Sequence, residues 1–99
     1  MMMIKEIQQK VESLNYDRSP TIGSLEYGKV EVQTGFSKYR IVVDTNEEDT
    51  VNSILLKLAD EADRLAELTE VKEEADEYLV TARILEAAVT GNGLIPYRM

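Results

Sequence analysis

Between Asp60 and Glu77 the chain places nine carboxylates, Asp60, Glu61, Asp63, Glu67, Glu70, Glu73, Glu74, Asp76 and Glu77, against only Arg64 and Lys72. Carboxylates three residues apart on a helix share a face. Asp60-x-x-Asp63 and Glu73-x-x-Asp76 therefore have the spacing to hold a divalent cation, and the whole set could present a negative field to a basic surface. Nucleophilic catalysis lacks its parts. With no His and no Cys in the sequence, Ser13, Ser19, Ser24, Ser37 and Ser53 have no base beyond a lysine, and they read as caps and turns. Asp44-x-Asn46-x-Glu48 opens like a calcium loop, but Asp49 stands where that loop needs Gly and Leu55 where it needs a bidentate Glu. Gly91 and Gly93 follow a helical pattern instead of joining a strand to a helix, so they make no phosphate loop. The residues lead us to expect no enzymatic activity, no cofactor and no metal.

The acidic set reads either as a solvated helix face or as a surface that accumulates charge for a partner. Asp63 and Glu67, Glu70 and Glu74, and Glu73 and Glu77 are like-charge pairs four apart, each unfavourable by about 0.2–0.5 kcal/mol, while Asp60 and Arg64 form one of few opposite pairs. A surface built only for solubility mixes signs. Charge along the chain is equally lopsided: residues 1–43 hold five acids and six bases, residues 44–90 fourteen acids and four bases. The net charge of −8 thus lies in the second half, where it repels nucleic acid and anionic membrane and attracts basic protein surfaces.

The elements that position these carboxylates are helical. Residues 47–90 contain no Gly and no Pro. Val51, Leu55, Leu58, Ala62 and Leu65 recur in steps of four and three, with Ile54, Ala59 and Leu68 widening the stripe; Val71, Ala75, Tyr78, Ala82, Leu85 and Val89 repeat the pattern, flanked by Leu79. The steps from Leu65 to Leu68 to Val71 are both three, which rotates the apolar face. One unbroken helix would also run about 66 Å, against a radius of gyration of about 13 Å for a domain this size. The pattern predicts two antiparallel helices, 47–68 and 70–90. Thr69 is expected to cap the second, and Thr45 or Asn46 the first, with Glu47, Glu48 and Asp49 in its opening turn. A single long helix in an oligomeric coiled coil is the alternative. Leu79, Val80, Ala82, Ile84, Leu85, Ala87, Ala88 and Val89 point in almost every direction, which predicts burial of that half helix.

Ahead of the helices, Ile4, Ile7, Val11 and Leu14 repeat at three, four and three, predicting a helix within 1–14. From Thr21 to Asp44 the period changes to two: Val30 and Val32 alternate with Lys29, Glu31 and Gln33, and Ile41 and Val43 with Arg40 and Val42. Gly35 sits where a hairpin turn needs a left-handed residue. Leu25 and Tyr27 are out of phase with Val30, so Gly28 marks a β-bulge or a turn, giving a hairpin or a three-stranded antiparallel sheet. The 99 residues fit one α+β domain, its sheet covered by the first and last helices, and its apolar tail at 91–99 is expected to cover the core, line a sheet edge or bind a partner. Met1 to Ile4 is too short for a signal-peptide core and nothing approaches a membrane span, so the expected location is cytoplasmic, without membrane contact.

Two resemblances follow. The paired carboxylates at Asp60/Asp63 and Glu73/Asp76 are similar to those with which helical nucleotide pyrophosphohydrolases hold magnesium, although the first pair has no Glu and the spacer is shorter. In outline, the chain resembles small phage-encoded inhibitors of host defence, such as anti-CRISPR proteins that mimic DNA: a helix, the strand Lys38-Tyr39-Arg40-Ile41-Val42-Val43, the acidic Glu47-Glu48-Asp49 and a helical, strongly acidic C-terminal half. That resemblance covers architecture and composition and rests on no specific motif. It implies a partner with a basic surface, a nuclease or another nucleic-acid-binding complex, and no direct contact with nucleic acid. The nine carboxylates are the expected contact residues. The competing reading is a structural protein that self-associates through its helical hairpin, as a homodimer or larger assembly.

Overall fold

A computed structural model describes residues 3–14, 19–25, 28–35 and 39–90. Among them the order is α1 (Met3–Glu12), β1 (Thr21–Leu25), β2 (Lys29–Gln33), β3 (Arg40–Asp44), α2 (Val51–Leu68) and α3 (Lys72–Thr90). The expected α+β layout holds, with three strands and two separate C-terminal helices. The apolar tail and Gly91–Gly93 lie outside the described residues.

The strands form an antiparallel meander, β1-β2-β3, with Ile22 opposite Val32 and Val32 opposite Ile41. Gly28 settles the phase problem at Leu25: it belongs to the turn between β1 and β2, where its φ of 72° suits a residue without a Cβ. A Cβ there would also come within 3.3 Å of the Thr45 carbonyl oxygen. Residues 36–38, between Gly35 and Tyr39, lie outside the described residues.

Alternation puts Ile22, Val30, Val32 and Ile41 on one sheet face, all buried, where they share a core with Ile7 and Val11 of α1 and the stripes of α2 and α3. The opposite face carries Lys29, Glu31 and Gln33 of β2 beside Arg40, Val42 and Asp44 of β3. Lys29 pairs with Asp44 and Arg40 with Glu31, at 2.5 and 2.7 Å.

The cover of the sheet differs from expectation. α1 lies against β1 and α2 against β3, whereas α3 packs chiefly on α2 and also touches α1. The reason is the breadth of the α2 stripe, in which Ile54, Leu55, Leu58, Ala59 and Ala62 are all buried. A stripe that wide serves two neighbours, and its alanines allow a second helix to approach closely.

Helix α2 starts later than predicted, at Val51. Asn46 spends its side chain on a local turn, accepting the Glu48 N–H at 2.8 Å, and its own N–H donates to Asp49. Thr50 is the cap: its hydroxyl accepts the Ser53 N–H while Ser53 Oγ accepts the Thr50 N–H. At the other end Thr69 does not cap α3 but ends α2, extended at φ −78° and ψ 144°, with its N–H on the Leu65 carbonyl. Its hydroxyl then accepts the Val71 N–H, and the Val71 carbonyl accepts the first bond of α3 from Ala75. One extended threonine thus reverses the chain without glycine.

Candidate protein-binding surface

The reversal at Thr69 fixes what the hairpin tip displays. Because both helices end on a rotated stripe, Leu68 and Val71 miss the core and are 64% and 54% exposed. Sequence reasoning placed both in the buried stripes; the two successive steps of three around Leu68 were the signal that they would turn outward. Glu67, Glu70 and Glu73 flank them and are exposed.

The nine carboxylates do not form one surface. Asp60, Glu67, Glu70, Glu73 and Asp76 are exposed. Glu77 is not: it is buried on α3, because its helical phase falls beside Tyr78 and Thr81 on the inner side. Asp63 turns to α3, where Arg83 Nη2 lies 2.8 Å from both of its oxygens. Glu61 is held by Arg64 through two bonds, and the guanidinium keeps its carboxyl below the usual range. Arg64 therefore serves Glu61, three residues away, and not Asp60, as the spacing had suggested. Glu74 accepts the Tyr78 hydroxyl at 2.9 Å. Burial and that acceptor push the Tyr78 hydroxyl up to about 12. Lys72 reaches Asp76 at 3.4 Å across a solvated turn.

Cations thus offset Glu61, Asp63 and Asp76, while Glu67, Glu70 and Glu73 stand exposed around the tip. Among the described residues no group of three or more His, Cys, Asp or Glu side chains is disposed to hold a metal ion. The half helix expected to be buried all round is not: Leu79 is 41% exposed.

Two grooves accompany this surface. One, about 530 Å³, lies between α1 and the start of α2, where Lys10 donates to Asn52. The other, about 440 Å³, runs along β3 beneath Lys57, Asp60, Glu61 and Arg64 of α2. No helix among the described residues is long and apolar enough to cross a membrane. No protein-family model, curated protein or solved structure matches the chain.

Proposed function

We propose that the chain is a non-enzymatic protein-binding module that sets the tip of the α2–α3 hairpin into a basic groove of a nucleic-acid-binding protein or nuclease, in place of a phosphate backbone. The observation that supports this reading is the juxtaposition at Thr69 of unburied Leu68 and Val71 with exposed Glu67, Glu70 and Glu73. Carboxylates give long-range attraction and orientation, and a desolvated apolar pair gives the short-range hold that charge alone does not supply in water. A tip built only to stay in solution has no use for the two apolar side chains.

The test is capture on the immobilised chain at low salt, followed by competition with duplex DNA. A protein displaced by DNA, and no longer captured when Glu67, Glu70 and Glu73 are reversed to Lys, supports the reading. Equal capture by the reversed chain would overturn it.

A further inference from the structure

We infer that the edge of β3, on which no strand lies among the described residues, is a dimerisation edge, which pairs antiparallel with β3 of a second copy about a twofold axis at Val42. This rests on the sheet and not on the acidic tip.

The two edges of the sheet are treated differently. On β1 the outward Ile22 N–H donates to Gln8 Oε1 at 2.7 Å, while Gln8 Nε2 reaches the Pro20 carbonyl at 3.4 Å, so a side-chain amide from α1 stands in for a neighbouring strand. On β3 the ladder bonds from Thr34 N–H to the Tyr39 carbonyl and from Thr45 N–H to the Gly28 carbonyl fix the phase. Tyr39, Ile41, Val43 and Thr45 turn their backbone groups to β2. Arg40, Val42 and Asp44 turn theirs outward, and Val42 and Asp44 line the groove beside α2. Among the described residues Lys57 Nζ guards that edge, donating to the Asp44 carbonyl at 3.2 Å, a longer bond than the same ammonium makes to Asp49 at 2.7 Å. An uncovered edge is a template for another strand.

The residues on this edge identify the strand it takes. With Val42 opposite Val42 of a second copy, Arg40 falls opposite Asp44 and Asp44 opposite Arg40. The pairing is self-complementary, as a twofold interface requires. Each partner already meets an opposite charge on β2: Asp44 faces Lys29 directly, and Arg40 reaches diagonally to Glu31. In the dimer Lys29, Asp44 and the second copy's Arg40 stand side by side. Ladder bonds at Val42, and those donated by the Asp44 N–H, leave the Lys57 contact intact. The flank of α2 above the groove suits a second copy as well: Lys57, Asp60, Glu61 and Arg64 balance in charge, whereas the remainder of the hairpin would repel its own kind.

The experiment uses the full chain. Light scattering after size exclusion is expected to give twice the 11.2 kDa of one chain. Val42→Pro removes an outward N–H and spares the β2 ladder, and is expected to give the monomer with unchanged circular dichroism. Val42→Cys places two thiols opposite each other, about 5.5 Å apart at Cα in such a pair, within disulfide reach. In a chain with no other Cys, mild oxidation should cross-link it at least tenfold faster than Glu48→Cys. A wild-type chain that stays monomeric at every concentration overturns the inference. So does a dimer in which Val42→Cys cross-links no faster than the control, and that comparison decides the matter if Val42→Pro unfolds.

Discussion

Arg83 and Asp63 tie the two long helices together: one guanidinium nitrogen lies 2.8 Å from both carboxylate oxygens, and the same side chain reaches Glu86. A carboxylate that reads from sequence as part of an outward field is thus spent inside the hairpin. Both side chains are about a third exposed, so solvent screens the pair and its coupling should be modest, about 0.2–1 kcal/mol. A double-mutant cycle of Arg83→Met and Asp63→Asn, read by chemical denaturation, should return a coupling in that range, falling with salt. Zero coupling at low salt would show that the contact does not hold the hairpin.

Leu85 is fully buried in the shared core. Leu85→Ala should destabilise by about 2–5 kcal/mol, through lost transfer energy and the cavity left behind. A shift of a degree or two in the melting temperature would mean that α3 is held by something other than this core.

Most of this fold was legible because it depends on period. The change from alternation at Val30 and Val32 to steps of three and four from Val51 onward separates strands from helices, and the two steps of three around Leu68 break the hairpin where it is broken. Thr69 was located but misassigned, because a threonine in extended backbone ends one helix as readily as it starts another. The late start of α2 was hidden for a similar reason: Asn46 and Thr50 both have capping side chains, and only tertiary position decides that Asn46 makes a turn. For the acidic set, the sequence gives charge but not direction. Glu73 and Glu77 differ by one helical turn, yet one is exposed and the other buried, because α3 is buried over a wider arc toward its C-terminal half.

Asp49 anchors the start of α2 by accepting from Lys57, the Asn46 N–H and the Ser53 hydroxyl, and these contacts, Lys57 first, lower its carboxyl to about 2. Its ordinary value is 3.8. The stabilisation is therefore complete above pH 3.8 and is lost as pH falls from there toward 2. Asp49→Asn should melt below the wild type at neutral pH, with the gap closing through that window. A gap that is constant across it would show that the carboxylate charge plays no part.

At the alkaline end Tyr78 behaves oppositely. Desolvation first, and then the Glu74 acceptor, hold its hydroxyl protonated to about 12, against 10.0 for an ordinary tyrosine. In the unfolded chain the proton leaves earlier, so the contribution to stability is intact below pH 10 and disappears as pH rises from 10 to 12. Tyrosinate absorbance should show a group titrating near pH 12 in the wild type that the denatured chain does not, and Tyr78→Phe should remove it. An unchanged titration in Tyr78→Phe would assign the delayed group elsewhere.

The tip separates charge from fold, provided the right residues are reversed. Glu77→Lys would bury an ammonium and Glu74→Lys would strip the Tyr78 hydroxyl of its acceptor, so loss of binding in either would be ambiguous. Glu67, Glu70 and Glu73 are exposed around Thr69, and surface changes of this kind stay within about 0.5 kcal/mol of stability each. Their joint reversal to Lys should leave the melting curve nearly unchanged and abolish binding to a basic groove. In the wild type that binding should weaken with salt, since attraction between exposed charges is screened over about 8 Å at physiological ionic strength. Leu68→Ser with Val71→Ser should also spare the fold, because neither side chain is in the core. Its signature differs: faster dissociation with the salt dependence kept, where the reversed glutamates slow association. If both sets bind the partner as the wild type does, the tip is not the contact surface.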